Sequence, residues 1–179
     1  TVTGVQTCAL PILGTQFVAK AAADGYTLLA MSNTFTVVPA IVANPGYDPV
    51  REFAGVSQTC RVPQLLVVTP TLPVRSVKEL IALAKAKPRE LNYASAGNGS
   101  PPHLAAELLK SMAGIEMVHV PYKGTAPVIA ALLGNEVQVT FANMGGALPQ
   151  VRAGRIRALG VSGSRRSISA PEVPTVAEA

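Results

Sequence analysis

With 179 residues, 49% of them hydrophobic, the chain can bury a sizeable core as one domain or as two small ones. Its net charge of +5 comes from Lys and Arg scattered singly, the largest cluster being Arg165–Arg166, and with no Trp and only four Phe and four Tyr it has little to stack on bases, so no nucleic-acid partner is expected. Gly, Pro or a charge breaks every apolar run before it reaches the length of a membrane span.

Thr1–Leu13 carries no charge and no basic stretch ahead of an apolar one, so it does not read as a secretory signal. Its core, Val2 to Ile12, resembles the translation of a sequencing adapter, and the segment is set apart as non-native. Phe17–Ala23 closes a helix, Asp24–Gly25 turns, and Tyr26–Met31 reads as a buried strand ending in the polar Ser32, Asn33 and Thr34. A short helix near Val37–Val42 follows, then strands at Ala54–Cys60 and Leu65–Thr69. Of the two cysteines, Cys8 lies in the segment set apart, so no disulfide is expected and Cys60 reads as a small buried apolar residue. Ser76, with Glu79 three residues on, forms a capping box for an amphipathic helix that carries Leu80, Leu83 and Ala84 on one face and stops before Pro88.

From Asn92 strands and helices alternate: strand Asn92–Ser95, helix Ser100–Ala113, strand Met117–Val120, helix Thr125–Leu133, strand Val137–Phe141, helix Gly146–Ala153 and strand Ile156–Val161. This alternation predicts a parallel sheet wrapped by helices, with ligands outside the carboxyl ends of its strands, where the polar turns lie. The turn Ala96-Gly97-Asn98-Gly99-Ser100 is the leading candidate site. Its glycines permit a sharp, uncovered backbone, Ser100 stands at an N-cap ahead of Pro101 and Pro102, and main-chain amides at the positive end of the helix can hold a carboxylate. It lacks the Gly-Lys-Ser/Thr ending of a phosphate loop and the frame of a nucleophile elbow. Valine at Gly99 is expected to abolish binding while leaving the fold largely intact.

His103, on the first turn of that helix, either orients a ligand or packs. His119, at a strand end without a second ligand at metal spacing, reads as structural. Lys123, Gly124 and Thr125 open the next helix and make a second candidate anion site, with Tyr122 as a wall.

The strings NYASAGNGSPPHL, MVHVPYKGTAP and VRAGRIRALGVSGSRRS, preceded by ADGYTLL and YDPVREFAGV and followed by VPTVAEA, resemble the extracytoplasmic substrate-binding proteins of tripartite tricarboxylate transporters, the Bug family. The likeness runs from about Gly14 to Ala179. It implies an α/β fold like that of type II periplasmic binding proteins, with two lobes and a hinge: residues 14–70 and 160–179 in an incomplete first lobe, residues 71–159 in the second. It also implies a signal and further segments at both ends of the complete protein. By the same resemblance the protein is no enzyme and needs no cofactor or metal. It works in the periplasm as a monomer, capturing a small organic acid, a di- or tricarboxylate or a related carboxylate, in an interlobe cleft and delivering it to the membrane components of a transporter; aromatic carboxylates and amides stay open as ligands. Ser32, Asn33 and Thr34 occupy the matching loop of the first lobe. Asn143 follows a strand where relatives commonly carry an acidic residue just before it; Ala142 stands there here, which favours a plain carboxylate over an amino acid. The under-built first lobe is expected to exchange amide hydrogens quickly at Leu28 and Val67, and the second slowly at Asn92, Val118 and Val139.

Two other readings compete. A small hydrolase would use Ser100 and His103 with Glu107, but at i, i+3 and i+7 of one helical run the glutamate stays solvated and cannot support the imidazole. The effector lobe of a transcription regulator shares the fold class but requires a DNA-binding domain that these residues do not supply.

Overall fold

Among residues 10–179, which the computed structural model describes, one five-stranded sheet forms where apolar β-formers are densest. Its strands are β1 (Gln64–Val68), β2 (Asn92–Ser95), β3 (Val118–Pro121), β4 (Val139–Asn143) and β5 (Arg157–Val161), in the order β3-β2-β4-β1-β5. The helices are α1 (Leu10–Ala19), α2 (Thr34–Ile41), α3 (Val77–Ala86), α4 (Pro101–Ala113), α5 (Thr125–Leu133) and α6 (Met144–Arg152). β2 pairs in parallel with β3 and with β4, as expected for strands linked by helical crossovers. The purely parallel sheet is corrected at β1, which lies antiparallel between β4 and β5. That place suits its sequence: the run Gln64-Leu-Leu-Val-Val68 is buried at every residue and has a bonded neighbour on each side.

Alternation along β1 separates two cores. Leu66 and Val68 face Val77, Leu80 and Ala84 of α3 and Ala106 and Leu109 of α4. Leu65 and Val67 face Val128 and Leu132 of α5 and Ala147 and Leu148 of α6. The cap of α3 forms as expected, the Ser76 hydroxyl accepting from the Glu79 N–H at 3.1 Å, while the Glu79 carboxylate reaches one residue further back, to the Arg75 N–H at 2.7 Å. No helix among the described residues is long and apolar enough to cross a membrane.

The chain divides into two compact units, to Thr59 and from Cys60. β1 and the residues after β5, read from the sequence as first-lobe segments, lie in the second unit. The Val161 N–H donates to Pro174 O at 2.8 Å, and the Val176 N–H to Val161 O at 2.9 Å, fastening the tail to β5. Val67, expected among fast-exchanging residues, is fully buried in the middle of the sheet, which corrects that expectation.

In the first unit α1 packs on α2, Gln16 Nε2 donates to Pro45 O at 2.7 Å, and the rings of Phe35, Tyr47 and Phe53 form a small cluster. α1 starts at Leu10 and so crosses the boundary expected after Leu13; the rest of that segment lies outside the described residues. Among the described residues the strands expected at Tyr26–Met31 and Ala54–Cys60 do not form. An extended segment becomes a strand only when a neighbour takes up its N–H and C=O groups, and Tyr26–Met31 pairs with no strand among the described residues. Tyr26 is 88% exposed and Leu28 66%. Cys60 is likewise exposed and outside any strand, against the expectation that it is buried.

Candidate functional site

Because β1 runs against its neighbours, the carboxyl ends of β2, β3, β4 and β5 and the start of β1 share one edge of the sheet. After β2, β3 and β4 the chain turns directly into α4, α5 and α6. Three helix N-termini, each the positive end of a dipole, therefore follow strands at that edge. Ala96–Ser100, His103, Tyr122–Thr125 and Asn143 all belong to these junctions.

The Gly97–Ser100 loop is closed on itself more than its glycines suggest. Gly97 and Gly99 take φ values of +123° and +74°, which only glycine adopts at low cost. Ser100 is the N-cap of α4, but its hydroxyl donates to Gly97 O at 2.6 Å instead of capping. Pro101 and Pro102 fill the first two helical positions and have no N–H to offer, so the His103 N–H is the one first-turn donor left to such a cap. Three of the loop amides are also engaged, Gly97 N–H with Ser95 Oγ at 3.1 Å, Gly99 N–H with His103 Nδ1 at 3.2 Å and Ser100 N–H with Gly97 O at 3.2 Å. Asn98 is the exposed tip, and Ala96 is half-buried. Gly99 is buried and left-handed, so valine there strains the loop itself, which corrects the expectation of an intact fold.

Below the loop is a polar and aromatic stack that the sequence did not reveal as a unit. The rings of His103 and His119 lie 4.3 Å apart, and Tyr93 stacks on His119 at 4.8 Å. His119 Nε2 meets the buried Ser95 Oγ at 2.6 Å. The Tyr93 hydroxyl donates to Glu107, which Lys110 also binds, at 2.7 Å. Burial pushes the Glu107 carboxyl up, but the hydrogen bonds from Lys110 and Tyr93 outweigh it and hold the group below its usual range. His103 thus braces the loop through its Nδ1. Ser100, His103 and Glu107 each bond elsewhere, and no relay links them.

Burial, and next the charge of the adjacent His103, hold the His119 imidazole below its usual range. The folded chain therefore resists a proton that the unfolded chain accepts near pH 6.5, and stability should fall as pH drops below about 6.5. Glu107, with its lowered range, acts later, its contribution being lost below about pH 4.5. Lys110 and Tyr93 complete the groups around the stack. We expect the unfolding temperature of the native chain to drop between pH 7 and 5.5, and the drop to shrink in His119→Gln, whose amide still reaches Ser95. Equal slopes in the two proteins would rule out His119 as the linked group.

At α5, Gly124 is the N-cap with φ of +107° and Thr125 opens the helix, as the sequence implies, though Pro127 removes a first-turn donor. Lys123 is exposed and makes no ion pair among the described residues. Tyr122 packs its ring on the core beneath α5, with its hydroxyl 3.4 Å from Glu136 Oε2. At α6 the first turn, Met144-Gly145-Gly146, contains no proline, and apart from the adjoining residues and the helix's own backbone no atom stands within 4 Å of where a side chain on Gly145 or Gly146 would begin. This is the most open of the three helix starts. Sequence reasoning passed over it, although Asn143-Met-Gly-Gly after a strand repeats the pattern of Ala96–Ser100. Asn143 is its N-cap residue, yet its side chain makes no cap; Asn143 Oδ1 accepts from Gln64 Nε2 at 2.7 Å.

Ser32, Asn33 and Thr34 belong to the first unit, where they lead into α2. Ser32 Oγ and Thr34 Oγ1 lie 2.7 Å apart, and Asn33 O accepts from Thr36 Oγ1 at 3.0 Å. Among the described residues no group of three His, Cys, Asp or Glu side chains could hold a metal ion.

The family model described as tripartite tricarboxylate transporter family receptor matches residues 2–179, a span that takes in most of the segment set apart at the N-terminus. BugT of Bordetella pertussis is 38% identical over 169 residues, covering 93% of this chain and 52% of that protein. The chain thus spans about half the length of such relatives. Rpa4515 of R. palustris, solved with adipate, matches with a TM-score of 0.84 and 41% identity over 94% of this chain and 56% of the other. MatC (Rpa3494) from Rhodopseudomonas palustris, with bound malate, gives 0.80 and 30% over 94% and 57%. The periplasmic binding protein BugD gives 0.81 and 32% over 93% and 56%. These relatives are solute-binding proteins and not enzymes. The α/β fold, the helix junctions at the carboxyl edge and these matches agree: the chain belongs to the receptors of the tripartite tricarboxylate transporter family, the Bug proteins.

Proposed function

We propose that the chain is part of a periplasmic receptor that holds a small dicarboxylate at the carboxyl edge of its sheet and passes it to the membrane components of a transporter. The carrying observation is the make-up of the three turns. Ala96–Ser100, Pro121–Thr125 and Ala142–Gly146 contain no acidic residue and one cation, Lys123, and each leads into a helix N-terminus. Such an edge attracts anions without binding them irreversibly. Adipate and malate, bound by relatives, are both dicarboxylates. Within this reading Asn98, Lys123, Thr125 and Asn143 supply side-chain donors, while Gly97, Gly99, Ser100 and His103 hold the first turn in shape.

Thermal unfolding with adipate, malate and their neutral diamides tests the reading. We expect at least one dicarboxylate to raise the unfolding temperature, the diamides to leave it unchanged, and Lys123→Gln to weaken the effect several-fold. Ligand at one hundred times its dissociation constant adds about 2.7 kcal/mol, a shift of several degrees. Indifference to every dicarboxylate would remove the proposal.

A further inference from the structure

Gln64 is 6% exposed, and its Oε1 is a buried side-chain acceptor with no hydrogen-bond partner among the described residues. Burying an acceptor without a donor costs stability, so some other demand holds the amide in this orientation. Its Nε2 donates to Asn143 Oδ1 at 2.7 Å and lies 3.5 Å from Val62 O. Turning the amide over would aim Oε1 at the main-chain carbonyl of Val62 and, unless Asn143 turned as well, at a second oxygen. The backbone beneath is equally fixed: the Gln64 N–H donates to Ser162 Oγ at 2.9 Å, the Ser162 N–H to Gln64 O at 2.8 Å, and Gln64 stands opposite Asn143 in the β1–β4 register.

The consequence falls on Asn143. With Oδ1 taken by Gln64, the amide group left to this exposed residue for a ligand is Nδ2, which can only donate. Asn143 is the residue before the uncapped first turn of α6. Ala142, just before it, is buried and apolar, so no carboxylate competes for that nitrogen.

We propose that Gln64 is a specificity-determining positioning residue: by holding Asn143 Oδ1 it commits Asn143 to offer Nδ2 at the carboxyl edge, selecting an ionised carboxylate over a ligand group that donates hydrogen bonds. The inference rests on the reading of that edge as a carboxylate site and adds how ligand polarity is chosen there.

The test follows side-chain and main-chain amide signals by NMR while the chain is titrated with adipate and, separately, with 1,6-diaminohexane, whose ammonium ends can only donate hydrogen bonds. In the native chain the Asn143 side-chain amide should respond to adipate and hardly to the diamine. Gln64→Met keeps the side-chain length but removes both the donor and the orphaned acceptor. It should leave the unfolding temperature unchanged or raised, while the preference for adipate falls at least fivefold. Asn143→Asp, at an exposed position, still accepts from Gln64 but presents oxygen outward; it should lose the preference with the fold intact, which keeps the test alive should Gln64→Met fold poorly. Unchanged preference in either folded variant overturns the proposal. So does a silent Asn143 while Gly145 or Asn98 responds, an outcome that leaves the carboxylate reading standing. No response to adipate anywhere in the native chain removes both.

Discussion

Replacing Leu66 with Ala is expected to lower the unfolding free energy of the second unit by about 2–5 kcal/mol, whereas Leu28→Ala should change stability by less than about 0.5 kcal/mol. Leu66 is fully buried in β1, a strand bonded on both sides, and belongs to the core that also contains Leu80, Tyr93, Leu109 and Phe141. Cutting it to alanine removes transfer energy and leaves a cavity that a sheet clamped at both edges cannot close. Leu28, two-thirds exposed in a segment without strand pairing, has little to lose. Denaturant unfolding of both variants, followed through amides of the unit that carries each substitution, measures the contrast. Hydrogen exchange should agree, with Val67, Ala94 and Thr140 slow and residues 26–31 fast. Comparable losses at the two leucines would show that Tyr26–Met31 is packed as a strand after all.

The second unit was legible where a local pattern suffices to set an element. β2 and α5 begin and end where expected because a short apolar run, a glycine-bearing turn and a helix start follow one another without ambiguity. The direction of β1 was not legible, since an all-apolar run buries equally well either way round and only tertiary pairing decides. The apolar Tyr26–Met31 failed as a strand for the complementary reason: periodicity supplies a face but not a partner. In the site, the position of the Ser100 cap could be read, while the turn of its hydroxyl toward Gly97 O could not. The His103–His119–Tyr93 stack joins residues far apart in sequence. Parallel pairing of β2 with β3 sets Tyr93 opposite His119, a register that no single-strand pattern reveals. Asn143 was singled out from the sequence, but the partner that orients it sits 79 residues away.

Alanine at Gly145 and at Gly146 is expected to stabilise the chain by about 0.5–1 kcal/mol per site and to weaken dicarboxylate binding at least tenfold. The two effects have opposite signs for separate physical reasons. Neither glycine has the positive φ that would make a side chain strained, and a methyl group at either position meets nothing within 4 Å beyond the adjoining residues and the helix's own backbone, so the helix gains from a residue with less backbone entropy to lose. The same methyl group would occupy the space through which an anion reaches the first-turn amides of α6, and a carboxylate oxygen displaced by even 1 Å forfeits most of a charge-assisted hydrogen bond. Valine at Gly99 is a poor substitute for this experiment, because left-handed strain lowers stability and affinity together and confounds the two. Paired measurements of unfolding temperature and of adipate affinity on the alanine variants separate them. Raised stability with unaltered affinity would move the ligand away from α6 and toward the Gly97–Ser100 and Lys123–Thr125 turns, whereas lowered stability would mean that the first turn of α6 is packed more closely than its open glycines show.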